Sequence, residues 1–146
     1  MKNYADNPRA MYDYEILERS EVGIVLLGFE VKAIQHHMAS LKGSYVKVLG
    51  GELYLINAHI SPYQVGNTPK DYEPTHTRKL LIAKKDILYF LGKTAEKGLT
   101  LLPIRIYTKG RRIKLEIGLA RGKKNYDKRE KLKRETITRE LQRREF

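Results

Sequence analysis

The densest chemistry in this sequence is Arg121-Gly122-Lys123-Lys124-Asn125-Tyr126-Asp127-Lys128-Arg129, which crowds five cations and one aromatic ring into nine residues. Cations this close repel one another unless phosphates neutralise them, and binding of that kind weakens steeply with salt. Tyr126 has the ring to stack on an unpaired base. Tyr45, Tyr54 and Tyr63 offer further stacking surfaces around a predicted hairpin, although tyrosines also tile the edge of a small barrel. The signatures of catalysis are missing. His36 and His37 are adjacent, so on a helix their side chains diverge by roughly 100° and do not chelate one metal. His59 and His76 have no carboxylate or cysteine at ligand spacing. Glu21 and Glu30 flank a glycine-containing bend but fall in different elements. Neither a glycine-rich phosphate loop nor a nucleophile motif occurs, so no catalytic residue, metal or cofactor is expected.

Composition agrees. The chain has 146 residues, no cysteine and a formal charge of +12, which excludes disulfides, zinc fingers and thiol chemistry. A globular domain with that surplus repels itself, so the charge is expected to serve a polyanion. No apolar run approaches the roughly 20 residues of a membrane span, and the N-terminus lacks a signal-peptide core. A monomeric cytoplasmic protein without membrane contact is the expectation.

The elements that must position these residues follow from periodicity. Residues 1–11 are polar, contain Pro8 and predict an irregular arm. Tyr14–Leu27 is rich in β-formers, with Gly23 marking a bend. Val31 and Ile34 predict a short helix over Phe29–His37. Ser44–Val48 and Glu52–Ile56 alternate around Leu49-Gly50-Gly51, a hairpin signal. Ile60–His76 reads as a long loop and Leu80–Ile82 as a strand end. An amphipathic helix follows, with Ile87, Phe90, Leu91, Thr94 and Ala95 on one face, Asp86 as N-cap and Gly98 at C′. Leu99–Leu119 is a second hairpin turning at Lys109-Gly110, on whose returning strand Arg112, Lys114 and Glu116 must face away from the core. Short strands around one good helix predict a mainly β fold, an antiparallel barrel of the oligonucleotide-binding type, over residues 1–120. A ferredoxin-like sandwich would want a second long helix.

Residues 121–146 form a separate tail, with eleven Lys/Arg against five Asp/Glu, a net +6. Glu130–Arg134, Glu135–Arg139 and Glu140–Arg144 are i, i+4 pairs worth about 0.2–0.5 kcal/mol each. That does not hold an isolated helix in water, and Leu132, Ile137 and Leu141 make only a thin apolar stripe. The tail is expected to become helical on a partner.

Taken together, Gly28-Phe29-Glu30-Val31-Lys32-Ala33, Ala39-Ser40-Leu41, Ser44-Tyr45-Val46, Ile56-Asn57-Ala58-His59-Ile60, Arg78-Lys79-Leu80-Leu81 and Gly118-Leu119-Ala120-Arg121-Gly122-Lys123-Lys124 with Asp127-Lys128-Arg129 closely resemble the small protein B (SmpB) family, the transfer-messenger-RNA (tmRNA) binding proteins of bacterial ribosome rescue. The resemblance implies a barrel gripping the tRNA-like domain of tmRNA at its elbow, and entry of the complex into a stalled 70S ribosome without codon–anticodon pairing. It implies that Glu21, Leu81 and Lys114 lie on the RNA-binding face with Tyr45 nearby. Arg121, Lys123, Lys124, Tyr126, Asp127, Lys128 and Arg129 would then serve at the decoding centre and the start of the mRNA channel, against ribosomal RNA. The chain departs from the family pattern at Asn7-Pro8-Arg9-Ala10-Met11, where two cations of the N-terminal arm are missing. It also carries Tyr126 where many members carry histidine, and it ends at Phe146, sooner than many. A generic single-strand RNA-binding or ribosome-associated module is the alternative reading.

Overall fold

Alternation of apolar and polar residues sets the two hairpins, and three further strands join them in a seven-stranded sheet, beside which a separate two-stranded sheet pairs Ala39–Ser40 with His59–Ile60. The computed structural model of the chain describes residues 2–64, 66 and 68–123. In chain order the elements are β1 (Asn3–Asp6), α1 (Pro8–Asp13), β2 (Tyr14–Ile24), α2 (Gly28–Gln35), β3 (Ala39–Ser40), β4 (Tyr45–Leu49), β5 (Glu52–Ile56), β6 (His59–Ile60), β7 (Arg78–Leu81), α3 (Lys84–Thr94), β8 (Leu99–Lys109) and β9 (Arg112–Gly122).

Seven strands lie in the order β1-β8-β4-β5-β7-β2-β9, and β9 pairs back onto β8. The six strands from β8 to β9 therefore form a closed antiparallel ring, with β1 added outside it. Closure removes the sheet edges that would otherwise invite aggregation. The expected β-rich barrel is observed, with six strands in its ring where the oligonucleotide-binding barrel has five. A bulge between Pro103 and Arg105 interrupts the pairing of β8 with β9. Before it, β8 meets β4 at Leu101; beyond it, β8 meets β1 through Arg105–Tyr107.

Val22, Ile24, Val46, Leu53, Leu55, Leu80, Leu115 and Ile117 point inward with Ile87 and Phe90 of α3 to form the main core. The β4–β5 turn puts Gly50 at φ 57° and Gly51 at φ 79°, two successive left-handed residues that a primed turn needs and that side chains resist.

Several local expectations need correction. Residues 1–11 are not an irregular arm. Pro8 sits in the first turn of α1, where its missing N–H costs nothing. Asn7 anchors the helix, its amide donating to the Ile104 carbonyl at 2.9 Å and its side-chain nitrogen to the Pro103 carbonyl at 2.8 Å. Ala10 then packs with Leu102, Ile104 and Ala120 as a second small core on the outside of the barrel. Asp86 is not the N-cap of α3. Ala83 holds that position, and Asp86 lies in the first turn, where its charge still favours the helix dipole. Gly98 is not C′ either: the helix is capped at Ala95, and Gly98, at φ 86°, leads into β8. On α3 only Ile87 and Phe90 are buried, while Leu91 and Ala95 stay exposed. The helix touches β8 and β4 along a strip too narrow to cover both flanks of the apolar face.

Candidate nucleic-acid interface

Gly23 is the pivot of the site. It pairs with Leu81 on one side and with Lys114 on the other, so β7, β2 and β9 carry Leu81, Gly23 and Lys114 in one row. Val22, Ile24, Leu80 and Leu115 point into the core, so strand alternation turns this row outward. Leu81 is 54% exposed. Two residues back along β2, Glu21 shares the same face, directly opposite Glu116 of β9.

Carboxylates so placed repel each other and would repel a phosphate, yet both are held by neighbours. Glu116 takes Arg19 Nη1 at 2.9 Å and Arg105 Nη2 at 3.5 Å. Glu21 accepts a 2.5 Å hydrogen bond from the Tyr107 hydroxyl and faces Lys109 Nζ at 3.5 Å. The Tyr107 hydrogen bond, helped by Lys109 and Lys114, holds the Glu21 carboxyl below its ordinary range. Burial and then the Glu21 carboxylate push the Tyr107 phenol far upward, so it stays a donor at all ordinary pH. The Arg105 guanidinium lies 4.6 Å from the centre of the Tyr107 ring. The face is thus a preset lattice of charge, with Arg111, Arg112 and Lys114 left outside any ion pair among the described residues.

The structure brings together Glu21, Leu81 and Lys114 and separates Tyr45 from them. Strand register puts Glu52 beside Leu81 and Leu49 beside Glu52. Tyr45 is four residues further along β4, roughly 13 Å down the strand and roughly 10 Å across two strand spacings. It stands half exposed over a cavity lined by Asn7, Asp13, Thr100 and Leu101, on the α1 side of the barrel. Tyr63 stacks on His36 at 4.7 Å between ring centres, which engages one face of its ring.

Arg121 and Lys123 also lie away from Lys114. Arg121 closes β9 opposite Glu15 and Leu99, seven residues and roughly 23 Å from Lys114 at the ordinary strand rise. The Lys123 amide donates to the Asp13 carbonyl and its Nζ to the Met11 carbonyl, each at 2.9 Å. Its root in α1 sets where the chain leaves the barrel. Lys124, Tyr126, Asp127, Lys128 and Arg129, together with the three tail ion pairs, lie outside the described residues.

Sequence reasoning missed the supports of this face: Tyr107, whose partner Glu21 lies 86 residues away in the chain, Arg105, directly opposite its partner Glu116 in the β8–β9 hairpin, and the buried pair Glu30–Arg78. Glu30 is 0% and Arg78 1% exposed. Arg78 donates from Nη2 at 2.6 Å and from Nε at 2.9 Å to Glu30 Oε2, and to the carbonyls of Ala58, Pro74 and His76. The Tyr72 hydroxyl donates to Glu30 Oε2 at 2.8 Å, and His76 Nε2 lies 3.0 Å from the same oxygen. His76, without a carboxylate partner in sequence, finds one in space. Burial pushes the Glu30 carboxyl up, but hydrogen bonds from the Leu27 amide, Arg78 and Tyr72 outweigh it and leave it lowered. This knot ties the 61–77 loop to α2 and β7. Among the described residues no group of three or more His, Cys, Asp or Glu could hold a metal ion, and no helix is long and apolar enough to cross a membrane.

A closed antiparallel β-barrel with one cation-lined face and a cationic strand end defines a small, basic β-barrel protein. The comparisons give that class a family. The SmpB protein family matches residues 4–145. An SsrA-binding protein of Carboxydothermus hydrogenoformans is 48% identical over 97% of this chain and 94% of its own length. One of Microcystis aeruginosa is 47% identical over 98% and 93%. A solved structure described as "tmRNA-SmpB: a journey to the center of the bacterial ribosome" superposes with a TM-score of 0.68 at 45% identity, over 82% of this chain and 84% of the other. The chain belongs to the SmpB family.

Proposed function

We propose that this chain binds tmRNA through the tRNA-like domain and delivers it to stalled ribosomes in trans-translation, as a placement protein without catalytic chemistry of its own. The observation that carries this is the gathering of Glu21, Leu81 and Lys114, from three different strands, onto one outward face whose carboxylates are already neutralised. Family membership and the SsrA-binding relatives support the same partner.

The division of labour follows the geometry. The barrel, residues 1–120, holds the RNA at the Glu21–Leu81–Lys114 face. The tail, expected from residue 121, leaves the barrel only after Gly122, because Arg121 and Gly122 still pair in β9 and Lys123 is tied to α1. Arg121, Lys123, Lys124, Tyr126, Asp127, Lys128 and Arg129 lead towards the decoding centre. There the tail becomes helical along the empty mRNA channel, with ribosomal RNA supplying the countercharge. Tyr45, on the other side of the barrel, is a separate RNA contact.

The test is to recover the full chain from cells and size the RNA bound to it, beside a variant cut after Lys123, which keeps the Asp13 and Met11 contacts. One abundant RNA bound by both forms, with peptide tagging lost only in the shortened one, is the expected result. Heterogeneous fragments would point instead to a generic RNA-binding module. Equal loss of RNA and tagging would overturn the division between barrel and tail.

A further inference from the structure

Two cavities on the α1 side of the barrel run into each other and form one groove. The first, about 390 Å³, is walled by Ala10, Asp13, Tyr14, Tyr45, Leu101 and Leu102. The second, about 290 Å³, lies between α3 and β4 against Tyr45, Val48, Leu91, Thr94, Leu99 and Leu101. Tyr45, Thr100 and Leu101 belong to both. Tyr45 is 46% and Leu91 48% exposed, and Leu91 is the flank of the α3 apolar face that the barrel leaves open. Charge is slight along this path. Lys47 is the one charged residue lining the second cavity among the described residues, and in the first Arg9 pairs with Asp13.

Lys123, the last described residue, stands at the mouth of the groove. Its amide and Nζ are bonded to the Asp13 and Met11 carbonyls, and Gly122 pairs with Tyr14. Asp13 and Tyr14 are themselves walls of the first cavity, so the chain passes into residues 124–146 where the groove begins. Within that stretch Ile137 and Leu141 are four apart and share one face of a helix. A helix from Lys123 to Ile137 covers roughly 21 Å, more than the breadth of the first cavity.

We propose that in the RNA-free protein residues 124–141 lie in this groove as a helix, with Ile137 and Leu141 against Leu91 and Leu99 and with Tyr45 covered. The proposal goes beyond the RNA-binding reading and stands without it. The groove supplies the apolar packing that the i, i+4 ion pairs of the tail do not. Attachment at Lys123 holds the segment at an effective concentration in the millimolar range, so a weak seat is filled; a separate peptide has no such advantage. A polyanion gains little from walls with so few uncommitted cations. Tyr45 is then uncovered only when the tail leaves the groove for another partner.

The chain has no cysteine, so Gln142→Cys carrying a nitroxide marks the tail of the full chain at one position. In NMR spectra of the RNA-free protein, amide signals of residues 46–48, 91–94 and 99–101 should lose about half or more of their intensity relative to the reduced label. Signals of Gly23 and Leu81 should lose far less. The pattern should survive dilution and a rise from about 0.1 to about 0.5 M salt, because an apolar contact is not screened. Leu91→Glu, at an exposed position, should restore the signals, and so should Ile137→Glu, which leaves the barrel untouched. Uniform loss over the whole surface, loss confined to low salt, or loss unchanged in both variants would overturn the proposal. Loss on isotope-labelled chains without nitroxide, mixed with labelled ones, would give the groove to the tail of a second copy and overturn it as well.

Discussion

Glu21 and Glu116 face each other directly across β2 and β9, an arrangement of like charges that ordinarily destabilises a sheet. Here each carboxylate is turned to a different set of partners, Glu21 to Tyr107 and Lys109, and Glu116 to Arg19 and Arg105. The pair organises the cations of the face.

Tyr107→Phe tests that role. Tyr107 is 3% exposed, so the ring stays in place and only the hydroxyl is lost, at about 1 kcal/mol for one hydrogen bond. Glu21 is then free to swing, and RNA affinity is expected to fall about threefold to tenfold. The variant's melting temperature should drop by only a few degrees. Filter binding and thermal melting check the two parts; a large loss of fold with unchanged affinity in the surviving fraction would contradict it.

Breaking the buried pair acts on stability instead. Glu30→Gln leaves the Arg78 guanidinium buried without a counter-charge, a loss of about 3–5 kcal/mol. Thermal denaturation should show a midpoint lowered by roughly 10 °C. A change of less than about 2 °C would mean that the pair is dispensable.

The same knot predicts alkaline behaviour. Burial, then the hydrogen bond to Glu30, pushes the Tyr72 phenol up from 10.0 to about 12. A raised folded-state value means that the contribution is intact below pH 10 and fades between pH 10 and about 12 as the unfolded chain loses the proton first. Denaturant titrations across that window should show wild-type stability falling more steeply than that of Tyr72→Phe; parallel slopes would remove Tyr72 from the cause.

Gly118→Ala tests the packing between barrel and α1. A Cβ at Gly118 would meet Ile104 Cδ1 at 2.9 Å and Ile16 Cγ2 at 3.2 Å. Both belong to the small outer core or pack against it. Overpacking of this kind costs about 1–3 kcal/mol, readable as a lower denaturation midpoint; unchanged stability would show that this corner yields freely.

Much of this was legible in the sequence. The hairpins announced themselves by alternation around Gly50-Gly51 and Lys109-Gly110, and Lys114 was placed outward by the same rule. Residues 1–11 were not legible as structure, because what orders them is Asn7 reaching β8, 96 residues away. Nor was the partnership of Glu30, Arg78, Tyr72 and His76, which are spread over 48 residues of chain. Tyr45 matched the family motif in its own segment, yet barrel closure sets it on a different side from Leu81. Local pattern fixes which way a side chain points; only closure of the ring decides which of them become neighbours.

The most direct test is the affinity of the full chain for the tRNA-like part of tmRNA as a function of salt, for wild type and Lys114→Glu. Log affinity should fall linearly with log salt. The variant should bind more weakly, with a slope shallower by about one or more, because a contact to phosphate has become a repulsion. Equal affinities and equal slopes for the two proteins, or wild-type binding indifferent to salt, would contradict the account.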